Sequence, residues 1–320
     1  MIADSIERLR GLAPPEAIWV ITARDLADAV RAAVPSLPRD RVIGEPVGKN
    51  TAPAVALAAW WLRGLGPDAV AAVLPSDHRI EPAARFREEV AAAAQASLAR
   101  RAIVMLGIPP TRPETGYGYI EVEDPVTPGS EILDVVAFRE KPDAATATRY
   151  VEDGRHLWNA GMFVFPPDLM LEEIGRHAPD LAALLQDLPD GPGPGTEAAL
   201  ERFYAAAPSI SIDYAVMERT RRAVVIRASF AWDDLGSWSA LALPGAGDAD
   251  GNVIRGRVML QNSTGVLAFS DGGLIAGIGL KDVVIVRTGD VTLVCHRDRA
   301  QEVRALVERL KTEKDGDALL

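Results

Sequence analysis

The chain has 320 residues, 48% of them hydrophobic and 25% charged, with 34 Lys and Arg against 45 Asp and Glu for a formal net charge of −11. That balance excludes a disordered chain, and the acidic excess argues against a nucleic-acid partner, which needs clustered cations to displace counterions. The length suits one large α/β domain plus a smaller module.

The first predicted element is a helix in MIADSIERLRGL, with Ile2, Ile6, Leu9 and Leu12 at helical spacing and no signal-peptide core. IWVIT (Ile18–Thr22) predicts a short buried strand, Ala23–Ala33 a helix, and RVIGEP another strand. Thr51–Leu65 predicts a helix with Thr51 at or near its N-cap and Pro53 in the first turn, where a missing N–H costs nothing. AVAAVLP is the next strand, Ala83–Arg100 a long helix, and AIVMLGI (Ala102–Ile108) a further strand. Short apolar strands alternating with helices predict an α/β fold whose sheet is mostly parallel and covered on both faces.

TRPETGYGYIEV is turn-rich and then alternating, as in a hairpin. FREKP, NAGMFVF, ISIDYAVME and AVVIRASFAWDDLGSW read as strands or strand edges, separated by a helix near Pro167–His177, with DGPGPG (Asp190–Gly195) a loop. LPGAGDADGN (Leu243–Asn252) reads as a linker. Beyond it VML, GVLAF, LIAGIGL, DVVIVRT and VTLVC predict an all-β module of the β-helix type, closed by an amphipathic helix at Arg299–Lys311. Cys295, the single cysteine, reads as a buried structural thiol, in keeping with a reducing, cytoplasmic location. No apolar segment approaches the ~20 residues that span a bilayer, so no membrane partner is expected.

Ligands of open parallel sheets bind at the carboxyl ends of the strands, and Asp77 sits at such an end, after AVAAVLP. Taken alone, a capping role explains it better. Asp233 and Asp234 follow another β-rich run, and two carboxylates from distant strand ends can converge on a hard cation. An acidic turn held by Trp232 and Trp238 weighs evenly against that reading. Lys49, before a helix N-terminus, and Lys141, in REKP, are placed to meet an anion, or are solvated like most lysines. Gly116 and Gly118 flank Tyr117 and let backbone approach a ligand, or form an ordinary turn. Asn159 and Gly161 in WNAGMF, with Asp213 in SIDYAVME, supply groups of the kind that hydrogen-bond sugar hydroxyls. His78 is expected to orient the Asp77 loop, while His156, His177 and His296 read as structural or surface residues. The chain holds no HExxH, GxSxG or CxxC pattern, so zincin, acyl-transfer and dithiol chemistry have no support.

In order, EPVGKNTAPA, LPSDH, RPETGYGYI, EKP, WNAGMF, SIDYAVME and WDDLGSW resemble the bacterial mannose-1-phosphate guanylyltransferases, which are sugar-nucleotidyl transferases. The resemblance implies a Rossmann-like nucleotidyltransferase domain with a mixed, mostly parallel sheet over residues 1–242, and a small β-helix-like module with a terminal helix over residues 250–320. It implies transfer of GMP from GTP to mannose 1-phosphate, with GDP-mannose and pyrophosphate as products, Mg²⁺ or another divalent cation as cofactor, and a homodimer as the assembly to test. Asp77 and Asp234 match the metal-holding aspartates, and Asp233 falls where the family varies. Lys141 matches the lysine that binds the sugar phosphate, and Gly118, Glu140, Asn159 and Asp213 match positions lining the sugar site, with Gly161 beside Asn159. Glu45, Lys49, Asn50 and Thr51 match the segment near the guanine base.

The family opens with a strand and a loop of the form GGxGxRLWPxSxxxxPK that wraps the triphosphate. Here MIADSIERLRGL matches the helix after that loop, and no glycine-rich, Arg- and Lys-bearing segment stands before IWVIT. The expectation is a truncated chain. The alternatives to truncation are a fragment whose missing strand comes from elsewhere and a catalytically silent sugar-nucleotide-binding subunit or oligomer partner; the alternative within the activity is the same transfer with another sugar 1-phosphate or another nucleotide.

Overall fold

The apolar runs become strands where they are short and bounded by Gly, Pro or Asp, and helices where Ala and charged residues carry them further. In the computed structural model, residues 1–123, 132–234 and 247–313 are described. The chain divides into two units, Met1–Trp232 and Asp233–Leu320.

The first unit begins with α1 (Ile2–Arg8), β1 (Val20–Ala23), α2 (Ala27–Ala33), β2 (Val42–Glu45), α3 (Thr51–Leu62), β3 (Ala71–Val73) and β4 (Arg79–Glu81). It continues through α4 (Ala83–Arg100), β5 (Ile103–Ile108), β6 (Gly118–Val122), β7 (Leu133–Glu140), α5 (Ala144–Glu152) and β8 (His156–Phe165). After these come α6 (Pro167–His177), α7 (Pro179–Leu185), α8 (Thr196–Ala206), a π-helical turn (Asp213–Met217), β9 (Ala223–Arg227) and β10 (Ala231–Asp233). The Ala-rich α4 ends where Arg101 takes a left-handed conformation, φ 47°, and its backbone N–H caps the helix. The chain then drops directly into β5, every residue of which is buried.

The central sheet has six strands in the order β3-β8-β5-β9-β7-β6. Its mixed character is as expected, but the mostly parallel pairing needs correction. Among the described residues only β5 and β9 pair in parallel in this sheet; β8 lies antiparallel between β3 and β5, and β7 lies antiparallel between β9 and β6. The directions of β3, β5, β6 and β9 nevertheless agree, so their carboxyl ends share one edge of the sheet. Local apolar patterning sees each strand's burial but not the later strand inserted beside it. The remaining strands of the unit form a parallel β1–β2 pair and a β4–β10 pair.

Side chains alternate across the sheet with the strand period of two. Ile103 and Met105 of β5 join a core with α3, α6, α7 and α8, whereas Val104, Leu106 and Ile108 join a second core against α4. β8 does the same with Leu157, Phe163 and Phe165 on one side and Trp158, Met162 and Val164 on the other.

The segment ISIDYAVME is not a strand: its alternation of apolar and polar residues is absorbed by the π-helical turn, which buries Ala215, Val216 and Met217. α3 starts at Thr51 with Asn50 as the N-cap, and the amphipathic helix near the C-terminus is a 3-10 turn (Arg297–Glu302) followed by α9 (Val303–Leu310).

In the second unit, β11 (Val253–Arg255), β13 (Leu267–Asp271) and β15 (Val283–Thr288) stack in parallel, as do β12 (Val258–Gln261) and β14 (Ile275–Ile278). This is the coil of a short β-helix, closed by β16 (Val291–His296) turning back antiparallel on β15. Val266, Ala268, Ile275 and Ile285 form its core. Buried Asn252 stitches successive turns, donating to the Ser263 carbonyl at 2.9 Å and accepting from Val266 N at 3.0 Å. Cys295 is half-buried on β16 and unpaired, rather than fully buried as expected. Among the described residues no helix is long and apolar enough to cross a membrane.

Candidate active site

Gly118 at the start of β6 lies in register with Glu140 at the end of β7. A Cβ on Gly118 would meet Glu140 Oε2 at 2.5 Å and Phe138 Cζ at 3.0 Å, so the close approach of the two strands requires glycine. Lys141 follows in a left-handed conformation, φ 49°, its N–H bonded to the Tyr117 carbonyl at 3.2 Å and its ammonium 2.6 Å from Glu140 Oε1. Burial alone would lower the Lys141 pKa, but the bond to Glu140 and the charges of Glu140, Tyr214 and Asp213 outweigh it and raise it. The Glu140 backbone N–H is held by Glu218 Oε1 at 3.1 Å.

Asn159, on β8 opposite Gly107 of β5, donates its amide to Asp213 Oδ1 at 2.9 Å and accepts from Gly161 N at 3.0 Å. Burial, and then the charge of Glu140, push the Asp213 carboxyl up to about 6. Thr51 Oγ1 accepts from Ile212 N at 2.9 Å while Ala52 N donates to the Ile210 carbonyl, so the start of α3 is tied to the segment that carries Asp213. Asn50 accepts from Thr51 N across its own turn, and Lys49 beside it is half-buried.

Asp77 stands on the loop after β3, its side chain 66% exposed. Its neighbour His78 is held by Trp232, whose indole Nε1 donates to Nδ1 at 3.1 Å with the two rings edge to face. α1 clamps the same loop by its backbone, Ser5 Oγ donating to the Ser76 carbonyl and Arg8 Nη2 to the His78 carbonyl, both at 3.0 Å. Pro75, on the same loop, packs 3.5 Å from where a Gly161 Cβ would stand. Tyr117 links the two sides: its ring meets both Trp158 and Trp232 at 5.3 Å, and its carbonyl holds Lys141 N.

One continuous chain of contacts thus joins Asp213, Asn159, Gly161, the Pro75–His78 loop, Trp232, Tyr117, Lys141, Glu140 and Gly118, at the edge where β3 and β5 end. Among the described residues no hydrogen bond or ion pair ties Glu45 or Lys49 to that group. Glu45 ends β2 beside Tyr204; the hydroxyl and carboxylate face each other without hydrogen-bond geometry, leaving Glu45 Oε1 buried and unpartnered. Burial raises the Glu45 carboxyl, and burial with the Glu45 charge raises the Tyr204 hydroxyl further. Asp234, half-buried, belongs to the second unit, and the remainder of WDDLGSW, Leu235–Trp238, lies outside the described residues, as do positions 243–246 of the linker.

The residues offered for a metal fit it by the chemistry of their donors: Asp77 and Asp234 present carboxylate oxygens, the ligands that hard divalent cations prefer. Among the described residues no group of three His, Cys, Asp or Glu side chains stands close enough to hold a metal alone. Two carboxylates leave further coordination positions to water and to phosphate oxygens.

The supporting residues Ser5, Arg8, Glu218 and Trp232 in its bond to His78 were not legible as site residues. Each acts across 70 or more positions of sequence, which no local pattern reports.

A family model described as nucleotidyl transferase matches residues 1–244, and one described as the MannoseP isomerase/GMP-like beta-helix domain matches residues 256–310. The chain is 40% identical over 283 residues to the alginate biosynthesis protein AlgA of Pseudomonas aeruginosa, covering 87% of this chain and 58% of that protein. It is 38% identical over 324 residues to a putative mannose-1-phosphate guanylyltransferase of Vibrio cholerae, covering 99% of this chain and 68% of that protein. A solved structure from Thermus thermophilus, described as a mannose-1-phosphate geranyltransferase, superposes with a TM-score of 0.82 at 35% identity, covering 97% of this chain and 89% of that one. The chain therefore belongs to the nucleotidyl transferase family, whose members generally use a divalent metal ion.

Proposed function

We propose that this chain transfers GMP from GTP to mannose 1-phosphate, with GDP-mannose and pyrophosphate as products. The observation that carries the reading is a lysine ammonium, Lys141, fixed at the strand ends beside Glu140, Asp213 and Asn159, groups of the kind that hydrogen-bond sugar hydroxyls. The names carried by the Vibrio cholerae and Thermus thermophilus relatives support mannose 1-phosphate as the acceptor. Catalysis is assigned to residues 1–242, with residues 250–320 as a separate module.

No side-chain nucleophile is needed. A phosphate oxygen of mannose 1-phosphate, anionic at neutral pH, attacks the α-phosphorus of GTP. The bond to the bridging oxygen breaks, and pyrophosphate leaves with its electron pair. The obstacle is the approach of two anions, and Lys141 offsets it by holding the sugar phosphate in line. Gly118 and Gly161 keep Cβ atoms out of the sugar's path, and Asn159 orients Asp213 to accept a hydroxyl. The unpartnered Glu45 oxygen suits the N–H edge of guanine, with Lys49, Asn50 and Thr51 forming the turn beside it. A divalent ion held by Asp77 and Asp234, magnesium in our assignment, supplies charge neutralisation to the phosphates when bound.

Pyrophosphate release is the test. GTP with mannose 1-phosphate is expected to release it faster than any other pairing of nucleoside triphosphate and sugar 1-phosphate. Binding of GDP-mannose with no release from any pairing would overturn the transferase reading in favour of a silent binding subunit.

A further inference from the structure

The π-helical turn, Asp213–Met217, closes with the Glu218 N–H donating to the Asp213 carbonyl at 2.9 Å, a bond that spans five residues. In an α-helix, side chains five apart stand about 140° apart around the axis. The wider π winding brings them round towards one side, and such turns recur at functional sites. Here Asp213 and Glu218 both meet Glu140 at the end of β7. The charge of Glu140 raises the Asp213 carboxyl, and Glu218 Oε1 accepts from the Glu140 N–H at 3.1 Å.

The chain beyond Glu218 is pinned to α6. Arg219 Nη1 donates to the His177 carbonyl at 3.1 Å, and Thr220 Oγ1 donates at 2.6 Å to Oε2 of Glu173, which is fully buried. An anchor therefore leads from the core, through the end of the turn, to the backbone of a residue 78 positions away. What it fixes is the next residue. Lys141 leaves β7 at φ 49°, its N–H on the Tyr117 carbonyl and its ammonium 2.6 Å from Glu140 Oε1. Two successive backbone N–H groups, of Glu140 and Lys141, are thus held by partners from different parts of the chain, and the Glu140 side chain between them is only 9% exposed.

We infer that Glu218 is a positioning residue for Lys141: its carboxylate ties the end of β7 to the turn that carries Asp213, and so fixes the lysine ammonium relative to the Asp213 carboxyl. The inference rests on the proposed role of Lys141 in holding the sugar phosphate. Glu218 touches no substrate in this role. Its work is to reach the Glu140 N–H and accept from it, so an amide of the same length serves, whereas a shorter carboxylate or an apolar side chain does not. Misplacing a positioned group by about 1 Å can cost ~100-fold.

The experiment compares three variants of the whole chain by calorimetry with mannose 1-phosphate and by carbon NMR of the Asp213 carboxyl across pH. Glu218→Gln keeps the acceptor and its reach, and is expected to hold Kd within about 3-fold and leave Asp213 titrating at about 6. Glu218→Asp keeps the charge without the reach, and Glu218→Met keeps the length without the acceptor. Both are expected to weaken mannose 1-phosphate ~10-fold or more. Both are also expected to lower the Asp213 pKa, because Glu140 is free to move away and its charge raises that carboxyl more than Lys141 lowers it. Thermal unfolding identifies any misfolded variant, and where Glu218→Met is unfolded Glu218→Asp carries the comparison. Affinity and titration unchanged in Glu218→Asp, or altered as much in Glu218→Gln, would overturn the inference. Should the unmutated chain bind no mannose 1-phosphate, the sugar-phosphate reading of Lys141 fails and the titration decides the anchor. It must then fall in Glu218→Asp and stay in Glu218→Gln, and any other pattern overturns the anchor.

Discussion

Asn159 of β8 and Asp213 of the π-helical turn are joined by a 2.9 Å hydrogen bond across 54 residues of sequence, and the carboxyl so held titrates at about 6. Burial raises it first and the nearby Glu140 charge second; the Asn159 bond and the Lys141 charge oppose them. A carboxyl whose folded pKa stands above its unfolded value of 3.8 binds its proton more tightly in the folded state. Its stabilising contribution is complete below the unfolded value and is lost as pH rises through about 6.

Asp213→Asn removes that loss while keeping an amide-to-amide contact with Asn159. The variant is expected to gain on the order of 2 kcal/mol of stability at pH 8, screening by solvent included, and nothing at pH 4. It is also expected to bind the sugar more weakly. Denaturant midpoints at the two pH values check the first, and calorimetry with GDP-mannose checks the second. Equal midpoint shifts at both pH values would remove the titration of Asp213 from the account.

Lys141 adopts φ 49°, a left-handed conformation whose strain alanine keeps and glycine relieves. Lys141→Ala therefore removes the ammonium with the backbone cost unchanged. Loss of a charge-assisted bond to phosphate is worth about 2–3 kcal/mol, which predicts a KM for mannose 1-phosphate raised by roughly 30–150-fold with stability little changed. Lys141→Gly is expected to show the same kinetic defect with the left-handed strain of about 1 kcal/mol relieved.

Gly118→Ala would place a methyl 2.5 Å from Glu140 Oε2, and the carboxylate has to move. The Glu140–Lys141 pair moves with it. We expect a stability loss of about 1–3 kcal/mol and a larger fall in kcat/KM than that loss explains. Thermal unfolding and steady-state kinetics on the same preparation separate the two effects.

Glu173 on α6 is fully buried and receives Thr220 Oγ1 at 2.6 Å and Arg176 Nη1 at 3.1 Å, with Arg222 at 3.8 Å. Removing one member of such a group strands the others. Glu173→Ala is predicted to cost about 3–5 kcal/mol of stability, read from denaturant unfolding, without changing KM for either substrate at temperatures where it stays folded.

How much of this was legible in the sequence follows from the range of each interaction. The α4 boundaries were readable because the Ala-rich run stops at Arg101, whose left-handed turn leads straight into a fully apolar strand. The β-helical character of the second unit was readable because its short apolar runs recur between Gly, Asp and Asn. SIDYAVME misled, since alternating apolar residues describe a strand and a π-helical turn that buries one face equally well. The place of β8 between β3 and β5 was out of reach, because strand order is decided by long-range pairing. Among the site residues, Lys141, Asn159 and Asp213 were chosen by chemistry, and their neighbours in space could not be. Trp232 carried a hint, an indole donor one residue before an acidic pair, but its partner His78 lies far upstream.

The most direct measurement is anomalous diffraction from crystals grown with Mn²⁺ and GDP-mannose. The account predicts a manganese peak bound by the Asp77 and Asp234 carboxylates, with the mannose phosphate against Lys141 and its hydroxyls on Asn159 and Asp213. A sugar bound elsewhere, or a manganese peak touching neither aspartate, would contradict it.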